Sequence, residues 1–156
     1  MNSPAVKTFG DQRIAAGENQ LIVDLERCSG MDSTFMGTLA GMAARLSTME
    51  GGVLQIAEPG ERNRRSLEDL GLDFLMEIDP PAAAWRGKVE SIRKELKTPA
   101  APGSLDSLQR TRHVLEAHQT LSDVNHKNAR EFSKVVDILE NELSEKEKNA
   151  EKDQPE

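Results

Sequence analysis

Cysteine is nearly missing from this chain. Cys28 is the only one in 156 residues, so no intrachain disulfide can form and a reducing compartment is the simpler setting. Aromatic residues are almost as scarce, at 3%, and the formal net charge is −7. Binding to phosphate backbones needs clustered Lys and Arg together with stacking rings, and the one dense basic stretch, Arg62-Asn63-Arg64-Arg65, is too short to supply it. Direct nucleic-acid binding is therefore not expected. No apolar run approaches the roughly 20 residues that span a bilayer, and the first residues lack the basic-then-apolar pattern of a secretory signal. A cytoplasmic protein without membrane association is the expectation. No glycine-rich dinucleotide fingerprint or Gly-Lys-Ser/Thr phosphate loop is present either, so no cofactor is expected.

What is present is an alternation of helix and strand signals. Ser3-Pro4 reads as an N-cap with proline in the first turn, followed by Val6, Phe9 and Ile14 before Gly17 closes a first helix. Leu21-Ile22-Val23-Asp24-Leu25 carries four branched aliphatics in five residues, the pattern of a parallel strand covered on both faces. From Thr34 to Ser47, Phe35, Met36, Leu39, Met42, Ala43 and Leu46 recur at helical spacing. Gly37, Ala40, Gly41 and Ala44 between them let that helix lie close to a neighbour. Gly51-Gly52 breaks the pattern, Val53 to Ala57 reads as a second strand, and Glu58-Pro59-Gly60 ends it. A third helix from Glu61 to Leu70 stops at Gly71, and Phe74 to Ile78 reads as a last strand. The expected fold class is α/β, with crossover helices packed on a short mixed or parallel sheet within residues 1–80.

Beyond this unit, residues 81–103 read as a linker holding a short helix from Lys88 to Leu96 and the breaker-rich run Thr98 to Ser104. Residues 104–147 then carry one long helical pattern through Leu105, Leu108, Leu115, Leu121, Val124, Phe132, Val135, Val136, Leu139 and Leu143. Asn125 and Asn128 fall on the same seam and weaken a coiled-coil reading. Three roles stay open for this extension: self-association, a partner-specific arm, or a helix folded back over the sheet edge. Residues 148–156 alternate acid and base and read as a frayed or disordered tail.

The chemistry-bearing candidates gather where the first strand gives way to the second helix, at Met31-Asp32-Ser33-Thr34. The first N–H groups of a helix lack intrahelical partners and the dipole is positive there, so an anion on Ser33 would be tolerated. On cap statistics alone, Asp32 and Ser33 are simply favoured capping residues. A nucleophile elbow would need glycine two residues on either side of the serine, and Met31 and Phe35 stand there. His113, His118 and His126 are spaced five and eight apart, not the four that pairs zinc ligands on a helix face, so no metal is expected and all three read as solvated. Cys28 reads as a small buried hydrophobe, and Arg62, Arg64 and Arg65 as a solvated face or a contact for an acidic partner.

Leu21 to Leu25, Cys28-Ser29-Gly30-Met31-Asp32-Ser33-Thr34, Gly37, Leu39, Leu46, Gly51-Gly52, Glu61-Arg62, Leu67, Leu70-Gly71-Leu72 and Phe74 together resemble the STAS domain, the family of anti-sigma factor antagonists and of the cytoplasmic domains of sulfate transporters. The resemblance covers roughly residues 3 to 79, about half the chain. It implies a non-enzymatic protein-binding switch in a partner-switching pathway. In stand-alone members of that family the serine after the aspartate is phosphorylated by an anti-sigma factor with serine kinase activity and restored by a phosphatase, and by position the resemblance implies that role for Ser33 beside Asp32. Thr34 is the second candidate acceptor. Met31, Phe35 and Met36 would form an apolar rim on which the partner docks, and a phosphate of about −1.5 to −2 charges in its centre would release that partner. The competing expectation is a constitutive scaffold that binds through its C-terminal helix without phosphorylation. Two departures from the family pattern stand out: Phe35 replaces a glycine, and the two strands that precede the first helix in the family are missing. A start assigned too late is the favoured account of the second, against an edge left open or completed by another chain.

Overall fold

The computed structural model describes residues 2–97 and 103–153, and its elements are built from local signals that the chain carries plainly. Helix α1 (Ser3–Ala15) is capped by Asn2, whose side chain accepts from the Ala5 amide at 3.3 Å, with Pro4 in its first turn. Strand β1 (Gln20–Asp24) leads through a loop to α2 (Ser33–Leu46), capped by Asp32. Strand β2 (Val53–Ala57), helix α3 (Gly60–Asp69), a 3₁₀ turn (Leu72–Phe74) and β3 (Glu77–Ile78) follow. A short helix α4 (Val89–Glu95) precedes two long ones, α5 (Ser107–Val124) and α6 (His126–Lys152). The chain is thus α/β and mostly helical.

The three strands are parallel in the order β1-β2-β3, with Leu21 beside Leu54, Val23 beside Ile56, and Ile56 beside Ile78. Parallel neighbours need a crossover, and α2 and α3 supply the two of them. Because side chains alternate along a strand, this register sends Leu21, Val23, Leu54, Ile56 and Ile78 to one face. That face joins Leu39, Met42 and Leu46 of α2, Leu67 of α3, and Leu70, Leu72 and Met76 in one apolar core. Leu39, Leu46, Leu54, Ile56, Leu67 and Leu72 have no measurable exposure.

The other face is covered unevenly, which corrects the expectation for β1. Ile22 is 49% exposed there, so β1 is covered on one face only, whereas Gln55 of β2 accepts a hydrogen bond from the Trp85 indole N–H at 2.9 Å. Arg93 of α4 pairs with Asp24, Glu26, Glu58 and Glu90 at 2.6 to 3.0 Å. The segment expected to be a linker therefore packs on the sheet through Trp85 and Arg93, and the compact unit runs past residue 80. Of the breaker-rich run, 98–102 lie outside the described residues.

Two further expectations change. The stretch from Phe74 to Ile78 is not one strand: Gly71, in the left-handed region at φ 72°, starts a 3₁₀ turn that leaves Phe74 89% exposed, and only Glu77 and Ile78 pair with β2. Instead of one long extension there are two helices that pack on each other as an antiparallel hairpin. Asn125 breaks them apart with extended backbone and recaps the chain, accepting from the Asn128 amide at 2.8 Å. The tail expected to fray is helical as far as Lys152, and 154–156 lie outside the described residues.

Candidate functional site

The loop from Glu26 to Asp32 is held from α3. The Asn63 amide donates to the Cys28 carbonyl at 2.6 Å, and the Arg62 guanidinium donates to the Ser29 carbonyl at 3.2 Å. The short basic stretch lies on the surface, as a solvated face does, and pairs there with neighbouring carboxylates: half-exposed Arg64 with Glu68 and Asp79 at 3.7 and 3.5 Å, and exposed Arg65 with Glu61 at 2.8 Å. Cys28 is half-buried, its thiol 3.4 Å from the Gly30 carbonyl. This clamped loop delivers Asp32, whose carboxylate accepts from the Phe35 amide at 2.7 Å, and so places Ser33 as the first residue of α2.

Ser33 does not face open solvent. Its hydroxyl oxygen lies 2.9 Å from Nε2 of His118 on α5, and Nδ1 of the same ring lies 2.8 Å from the Val114 carbonyl. A carbonyl only accepts, so Nδ1 carries a proton, and in the neutral imidazole Nε2 then offers a lone pair to which the Ser33 hydroxyl donates. Phe132 of α6 meets the imidazole edge-on, with centroids 5.5 Å apart at 69°. The helices touch at the backbone one turn further on: a Cβ at Gly37 would stand 2.2 Å from the Ala117 carbonyl oxygen. Only glycine allows α5 to sit so low on α2.

These contacts reassign several residues. Phe35 and Met36 are buried, at 4% and 9% exposure, in the core under this helix pair, so they are not an exposed docking rim; Met31 is half-buried beside them. Thr34 is half-buried, and its carbonyl accepts from the Thr38 hydroxyl at 2.8 Å. His113 and His118 are not solvated: both are buried, at 7% and 5%, and only His126 is exposed. His113 Nε2 lies 2.9 Å from the hydroxyl of Ser3, itself buried at the start of α1. Burial pushes the His113 pKa down and Lys7 adds to this, while Glu116 and Asp32 oppose it. The signal for this burial was available, since His113, Ala117 and Leu121 recur every four residues and His118 stands three from both Leu115 and Leu121.

No family model, curated protein or solved structure matches the chain. What the arrangement can do is therefore argued from its geometry. A serine hydroxyl donating to a histidine whose other nitrogen is fixed by an acceptor is the geometry of an activated nucleophile. A hydrolase also needs a substrate cavity on that serine. A groove of about 660 Å³ between α2 and α5 is lined by Lys7, Gly41, Arg45, His113, Glu116 and Thr120, among others, and by neither Ser33 nor His118. Among the described residues no three or more His, Cys, Asp or Glu side chains gather as a metal site. Nor is any helix among them long and apolar enough to cross a membrane.

Proposed function

We propose that the chain is a STAS-type anti-sigma factor antagonist, a cytoplasmic, non-enzymatic binding switch with Ser33 as its phosphoacceptor. The observation that carries this reading is Ser33 itself: the first residue of a helix that follows a parallel strand, capped by Asp32, with its hydroxyl polarised by His118. Its partners are an anti-sigma factor with serine kinase activity and a cognate phosphatase. A dianion added at Ser33 joins the carboxylate of Asp32, and charge repulsion and desolvation then expel the partner.

Incubation with ATP and anti-sigma serine kinases from the same genome, followed by peptide mass spectrometry, tests the assignment. Phosphate should appear on Ser33, vanish in Ser33→Ala, and weaken kinase binding in Ser33→Asp. Equal kinase binding by wild type and both variants defeats the reading. One observation favours the scaffold alternative: Ile138, at the middle of α6, is 64% exposed. A partner seated there binds all three proteins equally and is lost in Ile138→Asp.

A further inference from the structure

We propose that the α5–α6 hairpin is an intramolecular gate over Ser33, latched by the Ser33–His118 hydrogen bond, and that phosphate on Ser33 prevents it from closing. The proposal rests on the reading of Ser33 as a phosphoacceptor. In the closed molecule the hairpin meets the rest of the chain along a row of polar contacts. His113 meets Ser3, His118 meets Ser33, and Asn125 and Asn128 both donate to the Leu70 carbonyl at 3.3 and 2.8 Å. Lys127 adds a bond to the Asp69 carbonyl at 3.0 Å. Between these tethers α5 meets α2 at Gly37 and Ala117, and Leu121 of α5, without measurable exposure, joins the core cluster with half-buried Val124 and Phe132 packed against it. Opening therefore uncovers Leu121 as well as breaking single hydrogen bonds, which makes it a sub-global event of the kind amide exchange detects.

Opening is needed for the chemistry at Ser33. The Ser33 hydroxyl is engaged with Nε2 of His118 at 2.9 Å, so this hydrogen bond must release before its oxygen can reach a phosphorus atom. In the transfer, a new P–O bond forms between Ser33 Oγ and the γ-phosphorus of a nucleoside triphosphate. The bond from that phosphorus to the β-phosphate oxygen breaks, the diphosphate leaves, and the hydroxyl proton passes to the kinase's base. The product ester oxygen has no proton to donate, so the latch is gone. In its place a group of about −1.5 to −2 charges faces the lone pair of Nε2 where the ring stood at 2.9 Å. Reclosure is blocked by charge and by volume together. The hairpin thereby competes with any partner for the α2 face: the partner binds only what the hairpin uncovers.

Two experiments on the full-length chain test this. First, phosphoserine is installed at position 33 by genetic encoding, and amide hydrogen exchange is compared with the unmodified chain. Exchange over residues 107–124 should be at least about tenfold faster, with β2 unchanged. Unchanged α5 exchange overturns the gate, and so does acceleration that includes β2, because that reports general unfolding. Gly37→Ala provides the same readout without phosphate: alanine favours α2 as a helix, so faster α5 exchange in that variant comes from the collision with Ala117.

Second, the gate is locked. A Cβ at Gly41 would lie 4.0 Å from the Thr120 hydroxyl oxygen, so Gly41→Cys with Thr120→Cys, in a Cys28→Ser background, places two thiols near disulfide reach across α2 and α5. Phosphorylation of Ser33 by the kinase and ATP should be at least about tenfold slower in the oxidised chain than in the same chain reduced. Equal rates overturn the proposal. If Ser33 stays unmodified in both redox states, the acceptor reading falls, and the exchange comparison, which uses no kinase, still decides the gate.

Discussion

Asn128 of α6, without measurable exposure, donates its side-chain amide to the carbonyl of Leu70, the residue that ends α3, at 2.8 Å. This bond helps tie the second helix of the hairpin to the core unit, beside that of Lys127 to the Asp69 carbonyl, and it explains a polar residue on an otherwise apolar seam. Asn125 reaches the same carbonyl at 3.3 Å.

Asn128→Leu is therefore expected to destabilise the protein despite adding apolar volume to a buried position. It leaves the Leu70 carbonyl with only the longer bond from Asn125, a loss of about 0.5–1.5 kcal/mol. Urea unfolding should show a lower midpoint at unchanged slope, and the thermal midpoint should fall by about 2–4 °C for each kcal/mol lost. A variant as stable as wild type would mean that the anchor contributes nothing.

The core helices and strands were legible because their information is local. The aliphatic run Leu21 to Leu25, the small-residue pattern from Thr34 to Ser47 and the Val53–Ala57 run each specify an element without help from distant residues. The turn at Ser33 was legible for the same reason, since Asp32 and Phe35 are three residues apart. What was not legible is which distant side chain meets that turn. Ser33 and His118 are separated by 85 positions, and no spacing rule within either segment links them. Asn125 and Asn128 likewise looked like flaws in a coiled coil because their common acceptor, the Leu70 carbonyl, lies 55 and 58 residues away. The cover over the second sheet face was missed because Trp85 follows a proline-rich exit that reads as a boundary.

His113 makes stability depend on pH in the range just below neutrality. Its pKa in the folded chain is lowered from the ordinary 6.5, chiefly by burial and then by Lys7, against Glu116 and Asp32. The unfolded chain therefore takes up the proton first as pH falls. The stabilisation held by neutral His113 is complete above about pH 6.5 and is lost as pH drops through that value toward the lowered one. The loss is at most about 1.4 kcal/mol for each unit by which the pKa is lowered. Unfolding free energies measured at about pH 7.5 and 5.5 should differ more in wild type than in His113→Gln, which keeps a polar group for Ser3 but cannot titrate. Equal differences would count against the assignment. Asp24 and Asp11, both held below the usual carboxylate range, contribute stability lost only at lower pH, as the medium falls through about 4.

Arg93 is the positive centre of four carboxylates, Asp24, Glu26, Glu58 and Glu90, three of which sit at the ends of β1 and β2. Its hydrogen bonds to Asp24 are the main reason that carboxyl titrates low. Arg93→Ala should destabilise the chain by leaving like charges facing one another, and Arg93→Lys should recover little, because an ammonium cannot reproduce the forked contacts to Asp24 at 2.6 and 2.9 Å. Two measurements check this. The Asp24 carboxyl resonance should titrate at higher pH in Arg93→Ala than in wild type, and salt at about 1 M should narrow the stability gap between them by screening the repulsion.

The remaining question concerns where the compact unit stops, and Trp85 answers it with a signal of its own, since it is the only tryptophan in the chain. Its ring is 5% exposed, its N–H is bonded to Gln55 on β2, and Arg86 stands 5.2 Å from the ring centroid. If residues 81–97 belong to the folded unit, native fluorescence should be blue-shifted, poorly quenched by acrylamide, and lost to the red in the same cooperative step that unfolds the helices. Trp85→Phe removes the bond to Gln55 but keeps most of the apolar contact, so about 1 kcal/mol is expected. Trp85→Ala opens the sheet's second face and should cost about 3 kcal/mol. A red-shifted native spectrum with near-neutral substitutions would return the boundary to residue 80, for then the segment would contribute no packing to the strands beneath it.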